Sequence, residues 1–237
     1  MQYMISNSVM IGGIVMLVIL ITWRMLSRRR MLPCPAWLSW LVEMDNPLAP
    51  VTSAQCVIAL LGPDRGAHIA DIGCGPGRVT LPMASAVGPE GVVYALDIQA
   101  AMLEKIAAKA AAAELTNIRL LQGDARKRML PQESLDGAVA VMSLGEIPDH
   151  PEVLQMIYSV LRPGGRFVVA ESVFDPHYVS KSRLIADALA AGFAERHCVD
   201  NLFAYALVFE RLRPADETAR ERSEVRELEG EPAFAPA

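Results

Sequence analysis

A chain of 237 residues with 52% hydrophobic content can bury one sizeable core, and two domains would each be small. A net charge of −5 leaves no general attraction to phosphate backbones and argues against nucleic acid as a partner. The four cysteines, Cys34, Cys56, Cys74 and Cys198, lack both the close pairs of a zinc site and the density of a disulfide scaffold. No metal is expected, and the cysteines read as small buried hydrophobes in a reducing compartment.

Met4 to Trp23 contains no charged residue, and Arg24 and Arg28-Arg29-Arg30 follow at once. A run of this length can cross a bilayer as a helix. Nothing basic precedes it and no small-residue cleavage site follows, so a retained anchor is favoured over a removable signal peptide or a buried core helix. Positive charge at its C-terminal end alone sets the N-terminus outside and all that follows in the cytoplasm. Residues 1–30 thus read as a transmembrane anchor with a basic collar. In the segment 31–50, Trp37 and Trp40 suit either the headgroup region or a helix capping the globular core.

Helical spacing of Ala54, Val57, Ile58 and Leu61 marks a helix over 52–61, stopped by Gly62-Pro63. Strands are then expected over 68–72, 91–97, 118–122, 136–142 and 167–171. They alternate with helices over 79–87, 102–113 and 153–161, and a turn is expected at Arg162-Pro163-Gly164-Gly165. Such alternation implies a mostly parallel sheet covered on both faces. A helix over 184–191 leads to strands near 195–199 and 203–211, which the short turn at Asp200-Asn201 makes antiparallel. The domain spans 51–213, and 214–237 reads as a disordered charged tail with a frayed helix over 217–228.

Ala70-Asp71-Ile72-Gly73-Cys74-Gly75-Pro76-Gly77-Arg78 reads as a buried strand entering a glycine-rich bend and then a helix. Such a bend either holds a nucleotide-like cofactor or is merely structural. It is not the dinucleotide fingerprint, because Arg78 falls where the third glycine belongs. Asp97 closes the second strand 24 positions after Gly73, the spacing at which a carboxylate reaches ribose hydroxyls. Asp124, past the third strand, could accept from an adenine amino group, with Ile98, Met102 and Ala125 forming an apolar slot for the ring.

Four segments together resemble the class I S-adenosylmethionine-dependent methyltransferases: Asp71 to Gly77, Asp97 to Leu103, Gly123-Asp124-Ala125, and Leu161 to Gly165. The resemblance spans roughly 50–212. It implies an α/β, Rossmann-like, seven-stranded, mostly parallel sheet with an antiparallel last strand and helices on both faces, here joined to one N-terminal transmembrane helix. It implies S-adenosyl-L-methionine as cofactor, with Asp71, Gly73, Cys74, Gly75 and Gly77 toward its methionine end. Asp97 then serves the ribose and Asp124 the adenine, whose ring would lie in the slot of Ile98, Met102 and Ala125.

Methyl transfer from a sulfonium is an in-line displacement that positioning alone can drive, though a hydroxyl or thiol acceptor gains from a base. Glu146 and His177 are the candidates, and His150 and Tyr178 share their loops; each also reads as an ordinary loop or packing residue. Ser143 to Pro148 lacks the signature of methyltransferases of base amines and glutamine amides. Tyr178 and Lys181 stand three apart where short-chain dehydrogenase chemistry needs four. The expected activity is methylation of a quinone or lipid at the membrane. The alternatives are a soluble thiol or small metabolite as acceptor, or a cofactor-binding scaffold without turnover. The oligomeric state is not legible.

Overall fold

The computed structural model describes residues 42–216 and Thr22. The expected membrane helix, its arginine collar, both tryptophans and the tail beyond Asp216 lie outside the described residues. Among the described residues, no helix is long and apolar enough to cross a membrane.

The chain enters through a 3-10 turn, Pro50–Thr52, into α1 (Ala54–Leu61). The Ser53 hydroxyl accepts from Cys56 N at 3.3 Å, satisfying one free amide of the first turn, and Gly62 ends the helix in the left-handed region. There follow β1 (His68–Ile72), α2 (Thr80–Val87), β2 (Val92–Asp97), α3 (Ala100–Ala112), β3 (Ile118–Gln122) and β4 (Leu135–Val141). Then come α4 (His150–Val160), β5 (Leu161–Ser172), α5 (Lys181–Ala190), β6 (Phe193–Asp200) and β7 (Ala204–Arg211).

The seven strands form one sheet in the order β3-β2-β1-β4-β5-β7-β6. β7 is antiparallel to both β5 and β6, and the remaining ladders are parallel. The reading of a mostly parallel sheet with an antiparallel last strand holds. Strand order reverses between β1 and β4, and ligands of such sheets sit in the crevice outside the strand ends at that point.

Alternation along the strands sorts the core into two layers. Ala70, Ile72, Phe167, Val169, Leu207 and Phe209 face α4 and α5, while Ile69, Val139, Val168 and Val208 face α1 and α2. Both edge strands carry charge, with Arg119 on β3 and Glu195 and Arg196 on β6, which discourages pairing with another sheet.

Several boundaries shift by a few residues from the sequence reading, and two of the shifts have a local cause. α4 begins at His150, because Pro151 suits a first helical turn where no amide partner is needed. The turn expected at Arg162 to Gly165 is a bulge inside β5: Leu161 pairs with Leu135, and the next matched pair is Arg166 with Gly137. Asp136 steadies the bulge by accepting from Arg162 and from His68 N, the latter at 2.8 Å.

Phe167 is fully buried, with its ring centroid 5.7 Å from that of Phe193 and 6.4 Å from that of Phe209. Phe167→Ala therefore should destabilise the domain by about 3–5 kcal/mol, read as a lower urea midpoint at unchanged slope.

Candidate active site

Three amides fold the bend after β1 against the end of β2. Gly73 N and Cys74 N both donate to Leu96 O, at 2.8 and 3.0 Å, and Gly75 N donates to Asp97 Oδ2 at 2.9 Å. Gly73 has a φ of +68°, and a Cβ there would lie 2.5 Å from Ser143 Cβ. Only glycine fits, because Ser143 closes the switch point from β4 with its hydroxyl donating to Ile72 O at 2.6 Å. Gly75 has a φ of +52° but open space in front of it. The backbone there is bare toward the crevice.

The other residues of the bend divide between backbone and core. Gly77 lets Ile106 of α3 come close, with Cγ1 2.9 Å from where a Cβ would stand. Cys74 turns inward, packing on Ala95, Leu103 and Ile106, and burial pushes its thiol well up and keeps it unreactive. Its amide is used within the fold, so its side chain offers nothing to the crevice. Asp71 lies on the α2 face and accepts from Thr80 Oγ1 at 2.6 Å. Burial pushes its carboxyl up to about 6 despite that bond.

Asp97 is the carboxylate that addresses the crevice. Oδ2 accepts from Gly75 N and Oδ1 from Gln99 N at 2.8 Å, and with the Ile98 amide also turned toward the carboxylate there remains acceptor capacity for a further donor. Burial raises its carboxyl above the ordinary range, and the backbone bonds partly offset this. Asp124 lies past the neighbouring strand end, where Asp97 pairs in register with Gln122. Its oxygens are held by Arg126, whose Nη2 lies 2.6 Å from Oδ2 and whose amide lies 3.0 Å from Oδ1. This holds its carboxyl below the ordinary range and makes any adenine contact compete with a guanidinium. Of the predicted slot, Ile98 is 60% exposed at the strand end, Ala125 is buried, and Met102 is only 2% exposed on the inward stripe of α3.

The loops after β4 and β5 meet. A Cβ on Gly145 would lie 1.8 Å from His177 O, so the two segments touch backbone to backbone. Glu146 and His177, far apart in sequence, are thereby brought to one place at the carboxyl edge, with His177 buried and Glu146 half-buried. His150 lies at the start of α4, where burial lowers its imidazole below the ordinary range. One acid went unnoticed in the sequence: Glu171, at the end of β5, is 1% exposed, and its oxygens have no side-chain partner and no well-formed hydrogen bond, with only the Val179 amide turned toward them. The alternation Phe167, Val169, Glu171, which sets a carboxyl in line with two core residues, is the signal that could have revealed it.

A glycine bend after β1, an acid closing β2 and a reversed last strand define the fold of the S-adenosylmethionine-dependent methyltransferases. A SAM dependent methyltransferase from Aquifex aeolicus has the same fold, at a TM-score of 0.68 and 18% identity, covering 76% of this chain and 100% of that one. Residues 69–165 match the family model described as Methyltransferase domain, and S-adenosylmethionine is the cofactor of this class. The chain is similar to a demethylmenaquinone methyltransferase of a Geobacillus strain, 34% identical over 108 residues, covering 46% of each chain. It is also similar to a nocamycin O-methyltransferase of Saccharothrix syringae, 36% identical over 135 residues, covering 57% of this chain and 46% of that one. The chain thus spans about half the length of the curated relatives it matches.

The folded state keeps on Asp71 a proton that the unfolded chain releases near the ordinary value of 3.8. That contribution to stability is complete below pH 3.8 and is lost as pH rises to about 6. Relative to Asp71→Asn, the unsubstituted protein is expected to lose on the order of 2 kcal/mol across this window. Urea unfolding of both proteins from pH 4 to 7 reads the difference.

Proposed function

We propose that this chain transfers a methyl group from S-adenosylmethionine to a lipophilic acceptor bearing a ring hydroxyl, of the reduced-quinone class, at a membrane surface. The observation that carries the reading is the Gly75 amide held on the Asp97 carboxylate, which sets bare backbone and spare acceptor lone pairs side by side. Gly73, Gly75 and Gly77 would shape the bed of the methionine end. Asp97 would accept from the ribose hydroxyls, Ile98 and Ala125 would flank the purine, and Asp124 would meet its amino group. When bound, the cofactor supplies a methyl already activated by a positive sulfur. The work left to the chain is to align the acceptor and to receive its proton.

Two observations support a lipophilic acceptor. The relatives include demethylmenaquinone methyltransferases. Val173, Phe174 and Leu202, the last 84% exposed, also present apolar surface at the carboxyl edge, next to Leu48, whose carbonyl accepts from Asn201. The uncharged run 4–23 and its arginines would hold this rim at the cytoplasmic leaflet, raising the effective concentration of a membrane-dissolved acceptor.

The test uses radiolabelled S-adenosylmethionine and the full chain in lipid nanodiscs containing a demethylated naphthohydroquinone. Label should move to the naphthohydroquinone, and removal of residues 1–30 should lower that rate at least tenfold while leaving cofactor affinity unchanged. Cofactor binding with no label transfer would overturn the enzymatic reading. Equal rates on water-soluble phenols with and without residues 1–30 would overturn the membrane reading. Calorimetric titration isolates the cofactor site: Asp97→Ala should weaken binding by roughly 10–100-fold, as expected for lost hydrogen bonds to a charged acceptor. Gly75→Ala should cost about 1–2 kcal/mol of stability yet weaken binding at least as much as Asp97→Ala, because its methyl enters open space that the ligand needs.

A further inference from the structure

Glu171 stands where the sheet calls for a hydrocarbon. On the face toward α4 and α5, Phe167 pairs with Phe209, Val169 with Leu207 and Glu171 with Tyr205. The first two pairs are core, and the third continues the stripe with a carboxyl that has no side-chain partner and only the Val179 amide turned toward it, short of a well-formed hydrogen bond. The penalty for burying such a group is large, and one loosely placed amide offsets little of it. The adjacent Tyr205 gives it nothing, because its hydroxyl donates to Val179 O at 2.7 Å. A carboxyl kept at such a cost calls for a use outside folding.

Its position ties it to the cofactor bend. Ser143 touches Gly73, Gly145 two residues on touches His177, and each of these two loops brings an acid near Glu171 at the end of β5, Glu146 from one and Asp175 from the other. The groups facing it come from each of those elements. Glu146 comes from the loop after β4, Asp175 and the Val179 amide from the loop after β5, and Tyr205 from β7. We infer that Glu171 is the base of the acceptor site, taking the proton of the acceptor's ring hydroxyl when the loop 143–149 parts from the loop 173–180. This rests on the methyltransferase reading and assigns the base within it.

The step balances without a further reactant. The acceptor's O–H bond breaks and its proton passes to a Glu171 oxygen. The electron pair left on the acceptor oxygen, or delocalised onto the adjacent ring carbon, forms the bond to the methyl carbon. The methyl–sulfur bond breaks with its pair remaining on sulfur, which becomes a neutral thioether. Where carbon is the nucleophile, the ring hydrogen leaves as a proton while the hydroxyl is restored. Glu171 finally releases its proton to water, and one proton is produced per turnover. Burial, with Asp175 and Glu146 adding to it, raises the carboxyl well above the ordinary range, nearer to working pH, where a carboxylate is a more effective base.

The experiment compares the full chain in nanodiscs with Glu171→Gln and Glu171→Leu, using the same demethylated naphthohydroquinone. Methyl transfer should fall by about 100-fold or more in both variants. The acidic limb of kcat/KM against pH should vanish in Glu171→Gln, and calorimetric affinity for S-adenosylmethionine should stay within twofold. Thermal unfolding should move upward in Glu171→Leu, since an apolar side chain completes the stripe. Transfer by Glu171→Gln within threefold of the unsubstituted chain, with the acidic limb intact, would overturn the assignment while leaving the methyltransferase reading standing. No transfer by the unsubstituted chain would remove the acceptor reading on which it rests. Destabilisation by both substitutions, with lost cofactor binding, would make Glu171 structural and overturn it as well.

Discussion

The bend after β1 depends on one constraint: its amides must find acceptors at the end of β2. Leu96 O takes two of them and the Asp97 carboxylate takes a third, so the bend cannot close without the neighbouring strand in register. Backbone amides near the core are costly to leave unpaired, and a parallel strand end has carbonyls to offer. The carboxylate that steadies the bend thereby stands within reach of any ligand lying on it. The shape of the bend and the completion of the fold are one set of bonds.

From β4 the same edge is locked by contact between small groups. Gly73 meets Ser143, and Gly145 meets His177. Side chains at these glycines would force the loops apart, so the bend after β1 and the loops after β4 and β5 meet with little more than backbone between them. In-line displacement rewards such rigidity, because the nucleophile must be held along the methyl–sulfur axis.

Away from this edge the sheet follows ordinary rules of burial, with alternate residues feeding two apolar layers and charge on the edge strands. Against that regularity, the acids stand out by their use. Asp71 is bonded to Thr80 and serves the packing of α2. Asp97 is bonded to backbone and keeps capacity in reserve. Asp124 is engaged by Arg126. Glu171 has no side-chain partner and only the Val179 amide turned toward it. Acids that look alike in sequence differ in role because each strand end supplies different donors.

Strand order of events, the glycine bend and the acid closing β2 were legible in the sequence because each is set by local chemistry: apolar runs bounded by turns, positive-φ glycines, and a carboxylate at a fixed spacing. The antiparallel last strand was legible for the same reason, since a short turn permits no crossover. The bulge in β5 was not, because Pro163-Gly164-Gly165 reads as a turn until pairing with β4 on both sides of it is seen. Nor was the division among Asp71, Cys74, Asp97 and Asp124, nor the meeting of Glu146 with His177. Those depend on which face each strand turns to which helix and on loops from separate strands arriving at one edge. Residue types and spacing determined what this chain could bind. Which carboxylates stay available, and which one is left buried without a side-chain partner, was decided only by the packing of the sheet, because a carboxylate's chemistry is set by the donors and the water that its neighbours leave to it.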